Sequence, residues 1–280
     1  MKVEDRVIEY YERCEMDYKL VWKLNSAHAI HYGYWDQGTH DLVSALLNMN
    51  RVVAERAGIT ASMRILDAGC GVGGTSVYLA KKYGCDVTGI TLSAKQVVSA
   101  QKNAEHLGVS TKTHFYQKNF LDTGFPDHTF DVVIATDSVC HTDDKEGFVR
   151  EAKRVLKPGG KLLVTDFFRT QEKFAPHDEE ILDQWSKGWG YYVMDTPTGF
   201  EQKLKSAQFS NIIVEDETAH IEPSAVLLYK QYLKWRVVGW LAELVKIRKS
   251  IHAKNRLTAY YQYEALKKGL WKYVFFSANA

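Results

Sequence analysis

Apolar residues along this chain change their period several times, and each change marks an element. Val3, Val7, Tyr10 and Tyr11 recur at the spacing of one helical face, which predicts a helix over residues 3–24. The stretch HYGYWDQGTH (31–40) breaks that period with two glycines. Leu42, Leu46, Met49 and Val53 then restore it in a second helix over about 39–57. From residue 63 onward, short apolar runs alternate with helical patterns. MRILDAG, CDVTGI, THFYQKN, DVVIAT and KLLVTDFF read as five strands. Between them, TSVYLAKKYG reads as a helix closed by Gly84, residues 94–107 as a helix capped by Ser93 and ended by Gly108, and 144–156 as a helix running into KPGG. Strands separated by single helices build parallel βαβ units.

After the fifth strand the rhythm loosens. Residues 175–192 and 200–209 predict helices, NIIVEDE (211–217) a sixth strand, 223–268 a long helical stretch, and WKYVFFSANA a last strand. The expected fold is α/β: a Rossmann-like, seven-stranded, mostly parallel sheet with helices on both faces. A helical cap is added by the N-terminus and the 219–269 insertion, which is too long for an ordinary connection. The expected organisation is one compact domain. Residues 1–58 close over the site, 59–218 plus 270–280 form the cofactor core, and 219–269 form a helical substrate lid.

Charge and composition narrow the function classes. The chain has 36 basic and 34 acidic residues, a net of +2, so no overall field points to nucleic acid or an anionic membrane. Aromatic residues are in excess at 12% and concentrate in 10–35 and 185–276. They suit either an apolar substrate chamber or the core of the added helices. Cys14, Cys70, Cys85 and Cys140 form no C-x-x-C pair, and the histidines show no metal-binding spacing, so no metal is expected. Residues 1–20 are charged throughout, and no run approaches the roughly 20 apolar residues of a membrane span. A reduced, cytoplasmic setting is expected.

The candidate chemistry begins at LDAGCGVGG (66–74). Its glycines fit the dinucleotide spacing at Gly69, Gly71 and Gly74, and also an acidic-x-G-x-G-x-G pattern led by Asp67. A nicotinamide dehydrogenase places a carboxylate at the end of its second strand to hold the ribose. Here that strand ends Gly89-Ile90-Thr91-Leu92-Ser93, with no acid. Asp67 instead stands before the first glycine, where it would repel a pyrophosphate and attract an ammonium. A zwitterionic cofactor is favoured.

ILDAGCGVGG, VTGITLSAKQ, NFLDTGFPDHTFDVV and REAKRVLKPGGKLLVTDF together resemble the successive motifs of class I S-adenosylmethionine-dependent methyltransferases, over about residues 60–168. The flanking HYGYWD and the C-terminal helices are similar to a small-molecule group. It includes tocopherol, sarcosine/dimethylglycine and indolocarbazole-sugar methyltransferases. The resemblance implies S-adenosyl-L-methionine as cofactor. Asp67, Gly69 and Gly71 would lie at its methionine end, Thr91, Leu92 and Gln96 at the ribose, and Asn119 and Phe120 at the adenine, with Asp137 completing the set. Relatives often carry Asp where this chain has Asn119, and Asn still offers a carbonyl acceptor.

Methyl transfer needs an aligned acceptor and, for a hydroxyl, a proton acceptor. His141, after the fourth strand, is the candidate base, and Asp166, ending the fifth, the candidate for orienting its ring. Tyr32, Trp35, Trp185 and Tyr192 are the candidate substrate and lid residues, each with packing as the competing role. The expected activity is O-methylation of a small, partly apolar metabolite, in natural product biosynthesis. N-methylation of an amine and C-methylation of a prenyl-type substrate are the alternatives, and an NAD(P)-dependent oxidoreductase is the alternative from another class. The expected partner is the small-molecule substrate, with no nucleic acid. The basic C-terminal helices either pair two copies in a homodimer or cap the chamber.

Overall fold

A computed structural model describes residues 7–8, 28–190, 194–244 and 250–280, with side chains throughout these ranges except at 235–256. Among the described residues seven strands form one sheet: β1 (Arg64–Ala68), β2 (Asp86–Thr91), β3 (Thr113–Gln117), β4 (Phe130–Thr136), β5 (Leu156–Arg169), β6 (Ser210–Asp216) and β7 (Trp271–Asn279). Their order is β3-β2-β1-β4-β5-β7-β6. The first five are mutually parallel, and β7 runs antiparallel to both β5 and β6. The Rossmann-like architecture expected from the alternating pattern is present. The helix expected over 3–24 falls largely outside the described residues.

The helices are α1 (Leu42–Ala57), α2 (Gly74–Tyr83), α3 (Ala94–His106), α4 (Lys145–Val155), α5 (Pro176–Trp189), α6 (Pro197–Ser206), α7 (Thr218–Leu244) and α8 (Ser250–Lys267). α4 and α6 cover one face of the sheet through Phe148, Phe200 and Leu204. The other face is covered by α1, α2, α3, α5, α7 and α8 in one continuous apolar cluster. Several boundaries differ from expectation for local reasons. α1 starts at Leu42 because the Asp41 carboxylate accepts the Ser44 amide while the Ser44 hydroxyl accepts the Asp41 amide, a closed capping box. β5 starts at Leu156, which pairs with Phe130 before the chain bulges through KPGG and resumes opposite Val132 at Lys161. α5 stops at Trp189 because Gly190 takes a left-handed conformation, φ 68°.

Residues 28–41 lie across the sheet's upper edge as irregular chain held by backbone bonds. Tyr34 N–H donates to the Ala45 carbonyl and Trp35 N–H to the His220 carbonyl. The Tyr34 hydroxyl donates to Glu217, whose other oxygen pairs with Arg56 at 3.1 Å. At Gly74 a Cβ would stand 2.1 Å from the His28 carbonyl oxygen, so this segment crosses α2 at its first residue with no room for a side chain. No helix among the described residues is long and apolar enough to cross a membrane.

α8 packs on α5 at Gly188, where a Cβ would sit 1.7 Å from the Thr258 hydroxyl. Gly188→Ala is expected to lower stability by about 1–3 kcal/mol, the range for overpacking a close contact. Denaturant unfolding measures it; an unchanged midpoint would mean that the two helices are not in close contact.

Candidate active site

The carboxyl ends of β1, β2, β4 and β5 converge on one edge, where open parallel sheets place their ligands. The turn after β1 is fixed to β2, since Gly69 N–H and Cys70 N–H both donate to the Ile90 carbonyl, at 3.0 and 2.9 Å. Gly69 has φ 96°, and a Cβ there would lie 2.4 Å from Ser138 Cβ, so glycine is required both by conformation and by space. Gly71, at φ 53°, has only Ile30 Cδ1 near its missing Cβ, at 3.5 Å.

Asp67 is buried at the mouth of β1. Its carboxylate accepts the Ser76 hydroxyl at 2.6 Å, and among the described residues no cation pairs with it. Burial raises its pKa to about 6 against the opposing pull of the Ser76 hydrogen bonds. An acid kept short of a counter-charge in an otherwise tied-down turn suits an ammonium group. At the end of β2, the Thr91 hydroxyl donates to Gln96 Oε1 at 2.5 Å, and Ser93 caps α3 by accepting the Gln96 amide. Leu92 follows Thr91 directly, and its carbonyl accepts the Gln117 amide. Asn119 Oδ1 accepts Leu121 N–H at 2.9 Å, and Phe120 packs edge-on against Phe148. The structure therefore gathers Asp67, Gly69, Gly71, Thr91, Leu92, Gln96, Asn119 and Phe120 along the ends of three adjacent strands.

Asp137 sits just beyond β4 at φ 49°. It accepts the Tyr32 amide at 2.8 Å through one oxygen and the Tyr273 hydroxyl at 2.6 Å through the other. Burial, with the Asp166 charge adding to it, raises its pKa to about 8. Its carboxylate thus joins the N-terminal segment to β7. Tyr273 was not a candidate from the sequence: its reach to Asp137 follows from β7 inserting beside β5, with Tyr273 opposite Phe167.

Asp166 and His141 are neighbours without the pairing expected of them. One Asp166 oxygen accepts the Cys140 amide and the other the Phe167 amide, each at 2.8 Å. The carboxylate is thus turned under the 3-10 turn Val139–His141 and braces it. The His141 ring is oriented instead by the Gly190 carbonyl, 3.0 Å from Nδ1. A carbonyl only accepts, so Nδ1 carries the proton and the lone pair lies on Nε2. Burial lowers the His141 pKa to about 4, which keeps the ring neutral. Sequence reasoning missed Gly190, although a glycine ending a helix is a readable signal.

The aromatic candidates are mostly core. Trp185 is wholly buried against Phe167 and Trp271. Tyr32 packs on Phe167 and donates its hydroxyl to Gln262 of α8 at 2.8 Å, and Trp35 donates Nε1 to Ser224 of α7. Tyr192 lies outside the described residues. Among the described residues no cluster of three or more His, Cys, Asp or Glu could hold a metal ion.

Residues 66–164 match the methyltransferase-domain family. The chain is 28% identical to norajmaline N-methyltransferase of Rauvolfia serpentina, over 87% of each chain. It is also 28% identical to the chloroplastic tocopherol O-methyltransferase of Arabidopsis thaliana, over 95% of this chain and 79% of that one. The solved structure of a geranyl diphosphate methyltransferase in complex with GPP and sinefungin shares its fold, with TM-score 0.79, 18% identity and 99% of both chains covered.

Asp137 gives this site a signature in stability. An unfolded chain releases an aspartate proton at about 3.9, whereas folded Asp137 holds its proton to about 8. In that window the folded state carries the extra proton, so stability falls as pH rises and levels off above it. Asp137→Asn keeps the shape and removes this contribution. Its unfolding free energy is expected to decline less steeply than the parent's between about pH 6 and 8. An unchanged slope in urea titrations would contradict the assignment.

Proposed function

We propose that this chain, which belongs to the class I S-adenosylmethionine-dependent methyltransferases, moves a methyl group to a hydroxyl of a small, partly apolar acceptor. In this reading Asp67 holds the cofactor's ammonium beside Gly69 and Gly71, where backbone lies open. Thr91, Leu92 and Gln96 meet the ribose, and Asn119 and Phe120 flank the adenine. Bound S-adenosylmethionine supplies an electrophilic methyl on a sulfonium. The protein's remaining tasks are to bind, align and accept a proton.

The observation that carries the choice of oxygen is the fixed tautomer of His141, with Nδ1 committed to Gly190 and the lone pair on Nε2. An imidazole lowered to about 4 is a weak base. It suffices if the proton moves as the oxygen–methyl bond forms, because an alkylated hydroxyl is strongly acidic. Asp166 acts here as a positioning residue, holding the turn that carries His141. A second reading, transfer to a neutral amine, draws on the likeness to norajmaline N-methyltransferase over 87% of each chain. An amine needs no base of its own.

Two measurements test these roles. His141→Ala is expected to lower kcat for a hydroxyl acceptor by about 10²–10⁴-fold while S-adenosylmethionine affinity stays intact. Turnover near the parent's would remove the base, and retention with amine acceptors alone would move the reading to N-methylation. For Asp67, the ionised carboxylate is the binding form, so S-adenosylmethionine affinity should fall as pH drops below about 6, approaching tenfold per unit. Asp67→Asn should bind roughly ten- to a hundredfold more weakly and lose that pH dependence. A flat profile in the parent, read by calorimetry, would separate Asp67 from the cofactor.

A further inference from the structure

Two charged residues of the motif REAKRVLKPGG, Glu151 and Arg154, have no task in the site described so far. They stand three positions apart on α4, which puts them on one face of the helix. The pair is bonded twice: Arg154 Nη2 donates to Glu151 Oε1 at 2.7 Å, and Nε to Oε2 at 2.8 Å. A two-pronged pairing of this kind fixes both side chains in direction. α4 does not need it for docking, because Phe148, Val149, Ala152 and Val155 already seat the helix in the apolar core.

Among the described residues, every other side-chain hydrogen bond of the pair goes to one loop, residues 118–129 between β3 and β4. Glu151 Oε1 accepts the Thr123 amide at 2.8 Å and the Thr123 hydroxyl at 2.7 Å. Arg154 Nη1 donates to the Phe125 carbonyl at 2.7 Å and to Asp127 at 2.6 Å. Burial raises the Glu151 pKa, and the bonds from Arg154 and Thr123 more than offset it, holding the carboxyl below its ordinary value. The Thr123 carbonyl is taken as well, by Lys118 Nζ at 2.6 Å. Lys118 and Thr123 thus bracket the turn 119–122, which closes on itself: Asn119 and Asp122 form a bridge, and Asn119 Oδ1 accepts the Leu121 amide. Loops of this length are ordinarily loose. This one hangs from a threonine that is only 1% exposed.

We propose that the Glu151–Arg154 pair is a positioning element for the cofactor's base: it holds the 119–122 turn in one geometry and thereby sets the preference for adenine. The inference rests on the reading that Asn119 and Phe120 flank the adenine. Neither Glu151 nor Arg154 meets the cofactor in it, and both act through Thr123. The Leu121 amide keeps Asn119 Oδ1 from turning away, so the side chain offers an acceptor to adenine's exocyclic amine and none of its donors to a carbonyl. That discrimination lasts only while the turn stays in place. Affinity at the methionine end comes from Asp67 and the glycine turn, which the pair does not touch.

The test compares S-adenosylhomocysteine with S-inosylhomocysteine, which carries a carbonyl oxygen in place of the exocyclic amine, by calorimetry on the full chain. The parent is expected to bind the adenosyl compound about ten- to a hundredfold more tightly, the effect of one well-placed hydrogen bond. Glu151→Gln sets an amide nitrogen against the Arg154 guanidinium and should narrow that ratio to about threefold, through weaker adenosyl binding alone. Thr123→Val keeps the amide bond and loses the hydroxyl, so its ratio should fall between the two, and it decides the matter if Glu151→Gln does not fold. Thr123→Ser restores the hydroxyl and should restore the parent's ratio. An undiminished ratio in the folded variants, an equal loss for both compounds, or a Thr123→Ser variant no better than Thr123→Val overturns the proposal. Asn119→Ala separates it from the reading beneath it. A parent without preference, or a preference that survives in Asn119→Ala, removes the adenine assignment and the proposal with it. A preference lost in Asn119→Ala and intact in Glu151→Gln and Thr123→Val overturns the proposal alone.

Discussion

The candidate site is assembled around one buried carboxylate. Asp137 follows β4 in a left-handed conformation, and that bend presents its two oxygens to two distant parts of the chain. One oxygen takes the amide of Tyr32 and the other the hydroxyl of Tyr273, 105 and 136 residues away along the chain. Withdrawing an acid from water is costly unless hydrogen bonds replace the lost solvent, and with Asp166 close by the cost is met partly by keeping the proton. The N-terminal segment lies over the strand ends through this contact, through the Gly74 crossing and through the Tyr34–Glu217–Arg56 link. Without them the turn after β1 would lie open on one side.

Beneath this carboxylate the aromatic residues form a wall. The Phe167 ring lies 4.9–5.4 Å from those of Tyr32, Trp185, Trp271 and Tyr273. Edge-to-face contacts of this kind fix ring positions beyond what burial alone does. The wall joins β5, β7, α5 and the N-terminal segment in one block, with Gly190 at the end of α5 setting the His141 ring. Much of the aromatic excess is therefore structural, and it holds the polar groups at the strand ends in register.

Much of the fold could be read from local pattern. All seven strands were visible as apolar runs, and Ser93 and Gly84 marked real helix ends. The turn at Asp67–Gly71 was legible because its glycines answer to a local need, a positive φ at both Gly69 and Gly71. What escaped was long-range. No spacing rule links Asp137 to Tyr273, and none shows that Asp166 would be taken by the amides of Cys140 and Phe167 before it could reach His141.

The account turns on methyl transfer to a small acceptor. The most direct measurement incubates the protein with methyl-labelled S-adenosylmethionine and a mixture of small hydroxyl- and amine-bearing metabolites, and follows the products by mass spectrometry. A labelled product one methyl group heavier than its acceptor is expected, with S-adenosylhomocysteine formed in equal amount. Binding of S-adenosylmethionine with no S-adenosylhomocysteine formed with any acceptor, or no binding at all, would contradict it.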